Sequence, residues 1–162
     1  MNTYIKTNAL TQEAFADFGD VIATKEAADK IINQGRCGRH HDMAKMDFSD
    51  GRVGISLFKS DSFTLPFSLD MMERHPAGSQ AFIPMYHSEY LVVVAADDNG
   101  KPTAPIAFIA SSGQAVNIAR NVWHGVLCPL SDPGLFAVVD RIGDGANLEE
   151  HWYDTPIQIE QG

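Results

Sequence analysis

The sequence predicts one mainly β domain, a jelly roll or β-barrel with short helices near the N-terminus. Three observations carry that prediction. About eight short runs rich in β-branched and aromatic residues crowd the chain from Val53 onward. Turn clusters such as "DDNGKP", "SSG", "LSDPG" and "GDGAN" separate them. No long stretch of helical periodicity stands between the runs, so an antiparallel sandwich or barrel is expected rather than alternating βαβ units.

Taken in order, "LTQEAFADFGDVI" reads as a short helix capped by Thr11, with Ala14, Phe15 and Phe18 on one face and Gly19 closing it before a strand. A second short helix is expected after Thr24, where Ala27, Ala28, Ile31 and Ile32 are spaced for one face. The strands then follow as "RVGISLFK", "FTLPFSLDMME", "QAFIPM", "EYLVVVAA", "PIAFIA", "QAVNIA", "NVWHGVL" and "GLFAVVD". The run "YLVVVAA" is apolar at consecutive positions and predicts a strand covered on both faces, one cover being open to a subunit interface. A jelly roll of the cupin kind accommodates this many short strands. No repeat, linker or low-complexity tract interrupts the 162 residues, so 1–162 reads as a single domain.

Hydrophobic residues make up 44% and charged ones 20%, a globular composition. The net charge of −9 argues against a phosphate-backbone partner, and nucleic acid is not expected. A small anionic substrate stays compatible, because a few local cations reverse the potential inside a cleft. No apolar run approaches the roughly 18 residues that span a bilayer. The start "MNTYIKTNALTQEAF" lacks the apolar core of a secretory signal, so no membrane partner and a cytoplasmic location are the expectations. Cys37 and Cys128 have no Cys-x-x-Cys spacing and read as two buried thiols.

The chemistry concentrates in two stretches. In "MERHP", strand alternation puts Glu73 and His75 on one face and Arg74 on the other, where an ion-pair role is expected for it. Gln80 follows a Pro-Ala-Gly turn that can fold it back beside them. In "NIARNVWHGVL", Asn117, Arg120, Asn121 and His124 fall on adjoining strands, with Trp123 and His124 facing opposite sides. Taken singly, each histidine reads as a surface or hydrogen-bonded residue. Brought together, Glu73, His75, Gln80 and His124 suit a divalent first-row metal with open positions, or an acid–base pair. His40 and His41 are adjacent and would diverge on a strand; Arg39, His41 and Asp42 read either as a loop over a site or as a solvated turn. His87 and His151 read as surface residues.

"ERHPAGSQAFIPM", "VNIARNVWHGVL" and "LTQEAFADFGDVI" together resemble the ureidoglycolate lyase family, in the family's order and nearly end to end, and the segment with Arg39, His41 and Asp42 resembles its Arg-x-His-Asp stretch. The resemblance implies a cupin-like barrel, a homodimer, and cleavage of (S)-ureidoglycolate to glyoxylate and urea in purine (allantoin) breakdown. It also implies a divalent metal, Ni2+ being the one usually named. Two departures stand out: Glu73 occupies the place of the first histidine of the cupin His-x-His motif, and Gly-Val follows His124 where some relatives have a second histidine. On this reading His75, His124 and Glu73 are the catalytic residues, with Glu73, His75, Gln80 and His124 as metal ligands. Arg120 or Arg39 would clamp the substrate carboxylate, Asn117 and Asn121 would bind the urea group, and His41 and Gln80 would complete the substrate contacts. Two other functions share these features: a cupin-like protein that binds a small carboxylate without turnover, and a metal-dependent cupin oxygenase. Oxygen uptake would mark the latter, and ligand-induced stabilisation without urea release the former.

Overall fold

The computed structural model describes residues 4–162. Strand β1 (Tyr4–Ala9) leads into a single helical turn, α1 (Gln12–Phe15). The Thr11 hydroxyl accepts a hydrogen bond from the Ala14 backbone N–H at 3.1 Å, the expected cap. Phe15 and Phe18 go into the core, whereas Ala14 stays exposed. Strand β2 (Gly19–Ile22) follows.

The expected second helix is not formed. Ile31 and Ile32 belong instead to a hairpin, β3 (Lys30–Ile32) and β4 (Cys37–Arg39), and Ala27 and Ala28 to the irregular segment before it. Asn33, Gln34 and Gly35 between the strands have φ of 54°, 58° and 88°, a left-handed run that ends any helix there. The Asp29 carboxylate accepts from Lys25 Nζ and from the His41 backbone N–H, which ties the segment down from outside.

The remaining strands are β5 (Arg52–Lys59), β6 (Phe67–Arg74), β7 (Gln80–Pro84), β8 (Tyr90–Ala95), β9 (Asp97–Asp98), β10 (Lys101–Pro102) and β11 (Ile106–Ala110). They continue as β12 (Ala115–Ile118), β13 (Trp123–His124), β14 (Cys128–Pro129), β15 (Leu135–Ile142) and β16 (Glu149–Glu160). Six of them, in the order β8, β11, β1, β16, β6 and β13, close on themselves as a barrel. The barrel is mixed rather than antiparallel throughout, because β1 runs parallel to both β11 and β16. A second sheet, ordered β2, β12, β7, β15 and β5, packs across one side. This is the mainly β, cupin-like barrel that the strand pattern predicts.

Alternation along β8 shows how two cores arise from one strand. Leu91, Val93 and Ala95 join Leu69, Met72, Trp123, Ile157 and Ile159 in one cluster, inside the barrel. Tyr90, Val92 and Val94 join Phe82, Val116, Ile118, Phe136 and Val138 in the other, between barrel and second sheet. Both covers of "YLVVVAA" therefore come from the chain itself, not from a subunit interface. Burial of each such large side chain contributes about 1.5–3 kcal/mol. Cys128 lies in the barrel core, but Cys37 on β4 is only half-buried, so the expectation of two buried thiols holds for one. On the outer face of the second sheet, Val53, Ile55 and Leu57 of β5 are 53%, 75% and 65% exposed.

Candidate active site

The layer between the sheets changes character at one end. Along β7 and β15 the inward residues Phe82, Phe136 and Val138 give way to Gln80 and Asp140, and from the barrel side β13 and β6 add His124 and Glu73. Backbone register makes this local: His124 pairs with Glu73 on one side and with the core residue Val94 on the other. His75 follows directly from β6, on the side of Glu73. The turn Pro76–Ser79 then carries the chain from barrel to second sheet, so that Gln80 faces back. Gly78 is required in that turn: a Cβ there would lie 2.8 Å from both Phe48 Cδ1 and Arg141 Cβ.

Glu73 Oε1 lies 3.6 Å from His124 Nε2 and 3.9 Å from His75 Nε2, and the two imidazole centroids are 5.1 Å apart. Each ring is oriented by a main-chain carbonyl. Nδ1 of His75 donates to Asn147 O at 2.7 Å and Nδ1 of His124 to Val122 O at 3.1 Å. In a neutral ring with its proton at Nδ1, Nε2 carries the lone pair. Asn147 also accepts the Ala77 N–H on its Oδ1 at 2.7 Å, so one residue fixes both His75 and the turn beside it. Interaction with the His124 imidazole is the largest cause holding the Glu73 carboxyl below its ordinary pKa, and it outweighs burial. Burial is the largest cause lowering the pKa of His75, followed by the neighbouring His124.

Three buried polar atoms of the cluster have no partner. Nε2 of His75, Nε2 of His124 and Oε1 of Gln80 are all buried and lack a hydrogen-bond partner. Burying lone pairs that way is costly unless something electropositive meets them. Glu73, His75 and His124 offer ligand atoms that all lie within 4.8 Å of one another, a carboxylate and two imidazoles suited to a divalent first-row ion. The residues present thus fit a metal. Glu73 opens on a pocket of ≈ 470 Å³ that is lined by Phe58, Lys59, Ser60, Phe63 and Phe82 among others.

Arg74 points the other way, as alternation requires. Its guanidinium pairs with Asp97 at 2.7 Å and Glu149 at 2.6 Å and lies 4.6 Å over the Trp123 ring. Trp123 and His124 face opposite cores, as expected.

The other residues singled out in the sequence lie elsewhere. Asn117, Arg120 and Asn121 line a separate polar cleft of ≈ 600 Å³, on the far side of the 75–80 turn. There Asn117 Nδ2 donates to Asp20 Oδ2 and to Lys45 O, both at 3.0 Å, and Arg120 pairs with Asp47 at 3.3 Å. Asn121 touches the site only through its backbone N–H, which donates to His75 O at 3.0 Å. Arg39 and His41 are exposed on and just after β4. His40 accepts the Lys25 N–H and lines a third cavity together with the exposed His87. His151 is half-buried against Trp123 and Tyr153 rather than at the surface. Lys59, Asp140 and Asn147 were not singled out. Asp140 and Asn147 meet Gln80 and His75 only through long-range hydrogen bonds, and Lys59 shares a pocket with Glu73, so none leaves a local spacing to read.

A cupin-like barrel that gathers a carboxylate and two imidazoles beside an open pocket defines an enzyme of the cupin class. Comparison with known proteins narrows the class. The family model described as ureidoglycolate lyase matches residues 2–160. The chain is 55% identical over 152 residues to the ureidoglycolate lyase of Rhodobacter capsulatus, covering 93% of this chain and 94% of the relative. It is 50% identical over 153 residues to ureidoglycolate lyase 2 of Rhizobium meliloti, covering 93% and 94%. It is 46% identical over 159 residues to the enzyme of that name from Mesorhizobium japonicum, covering 97% and 98%. The chain belongs to the ureidoglycolate lyase family.

Proposed function

We propose that this chain cleaves the C–N bond of (S)-ureidoglycolate to give glyoxylate and urea. The observation that carries the reading is the buried Glu73–His75–His124 cluster in a member of this family. Glu73, His75, Gln80 and His124 would hold a divalent cation, Ni2+ being the first candidate. Such an ion, when bound, lowers the pKa of a hydroxyl that it ligates.

The reaction needs no net proton. The substrate hydroxyl gives up its proton as C=O forms, and the departing urea nitrogen takes one as C–N breaks. Of the four cluster residues, Glu73 alone lines the open pocket. Its carboxylate would take the hydroxyl proton and return it to the leaving nitrogen. A positioned acid–base group of this kind contributes about 10²–10⁴-fold. Lys59, at the mouth of the same pocket, supplies the positive charge for the substrate carboxylate. Arg120 is engaged with Asp47 in the neighbouring cleft, and Arg39 is on the outer hairpin, so neither is assigned the clamp. Asn117, Asn121 and His41 are likewise left outside the centre.

The family expectation of a homodimer is supported by the exposed apolar face of Val53, Ile55 and Leu57. Light scattering of an Ile55→Lys, Leu57→Lys double variant should give the monomer mass where the parent gives the dimer. The active-site reading is tested with folded His75→Ala and His124→Ala proteins. Urea release at the parental rate by either one would overturn it.

A further inference from the structure

Gln80 presents an ambiguity that its own side chain cannot resolve, because an amide is a donor at one end and an acceptor at the other. Which end faces the Glu73–His75–His124 cluster decides whether the site gains a ligand or an unwanted N–H. The neighbouring strand supplies the answer. Ala81 on β7 pairs with Val139 on β15, so the next rung brings Asp140 opposite Gln80, on the inward side shared with Phe136 and Val138. The Asp140 Oδ2 accepts from Gln80 Nε2 at 3.1 Å. A carboxylate only accepts, so the nitrogen must face Asp140 and the oxygen must face away from it. That oxygen, Oε1, is one of the three buried atoms of the cluster without a partner, in a residue that is 6% exposed.

We propose that Asp140 is a positioning residue: it turns the Gln80 amide so that Oε1, not the NH2 group, completes the donor set of Glu73, His75 and His124. It touches neither substrate nor ion and acts through Gln80. The inference rests on the metal reading above. It goes further in assigning a task to a residue on a strand that otherwise supplies apolar core. Reversing the amide would aim an N–H at a cation, which loses one ligand and adds a repulsion. Residues that orient a ligand by hydrogen bonding typically change metal affinity by about 10–100-fold.

Glutamate at position 80 gives the test its discrimination, since a carboxylate offers oxygen whichever way it is turned. Ni2+ is titrated calorimetrically at pH 8 into metal-free parent, D140L, Q80E and the D140L/Q80E double variant, with melting in chelator to confirm folding; leucine keeps the volume and removes every acceptor. D140L should bind Ni2+ about 10–100-fold more weakly than the parent. The double variant should match Q80E within about twofold. Loss of the Asp140 charge alone would weaken both backgrounds equally, and that result overturns the proposal, as does parental affinity in D140L. Failure of the parent itself to bind Ni2+ would remove the metal reading and the proposal together, an outcome distinct from tight binding that ignores Asp140. A second measurement needs no variant: the Gln80 side-chain NH2 in metal-free parent should show slowed hydrogen exchange in 15N spectra, and exchange at the rate of a solvated amide would overturn the assignment.

Discussion

Glu73→Gln tests the stability of the cluster and its function in one protein, and both should fall. Glu73 Oε1 lies 3.6 Å from His124 Nε2 and 3.9 Å from His75 Nε2. The interaction with His124 holds the Glu73 carboxyl below its ordinary pKa in spite of burial, so the fold favours the ionised carboxylate over a neutral group of the same shape. A glutamine is that neutral group. Loss of one such contact costs about 0.5–1.5 kcal/mol. For a chain of this size about 1 kcal/mol lowers the melting temperature by roughly 2–4 °C. Urea release should fall by about 10²–10⁴-fold in the same protein, because its proton carrier is gone. The assay is paired: thermal melting at pH 8 in chelator, and urea formation after metal loading. A melting temperature above the parent's would refute the stabilising contact between Glu73 and His124. Undiminished turnover would refute the role of Glu73.

Three further outcomes follow from the same geometry. Glu73 and His75 both bind protons less readily in the folded protein than their ordinary pKa values of 4.5 and 6.5 imply, so their contribution to stability is present above those values and lost on acidification. The urea midpoint of the metal-free protein should therefore begin to decline below pH 6.5 and fall further below 4.5, and His75→Gln should flatten the upper part of that decline. Burial pushes the Cys128 thiol up to about 12, whereas Cys37 is half-buried on the outer hairpin. A thiol reagent at pH 8 should therefore label Cys37 in the native protein and reach Cys128 only after denaturation; equal rates would contradict the packing described for β14. Lys59→Gln should raise KM about tenfold, the loss of one charge-assisted contact, and leave kcat nearly unchanged. A kcat loss with unchanged KM would remove Lys59 from the binding role.

Much of the fold was legible because alternation is a local signal. "YLVVVAA" announced a doubly covered strand, and "ERHP" announced that Arg74 would part from Glu73 and His75. The ends of the chain were not legible. In β16 only Tyr153, Ile157 and Ile159 bring apolar side chains to the barrel core, the rest of the run is mostly polar or exposed, and its register with β6 shifts between Trp152 and Ile157. Pro156 within the same run further masks a strand. β1 hides for another reason: four of its six residues are exposed, so it shows no apolar face, although it closes the barrel. At the site, Glu73, His75, Gln80 and His124 could be read from alternation and a turn. Asp140 and Asn147 could not, since they act only through hydrogen bonds to residues 60 to 72 positions away in sequence. The cleft shared by Asn117, Arg120 and Asn121 escaped for a related cause. Adjacent strands were foreseen, but β12 turns Val116 and Ile118 toward the core and so aims Asn117 outward.

The central claim is that this cluster breaks C–N without hydrolysing the urea group. The direct measurement is product balance: metal-loaded protein is given each ureidoglycolate enantiomer, with and without chelator, and urea, ammonia and glyoxylate are quantified separately. Equimolar urea and glyoxylate from the (S) enantiomer, no ammonia, and loss of turnover in chelator are the results predicted. Ammonia in place of urea, or no glyoxylate from either enantiomer, would contradict the account.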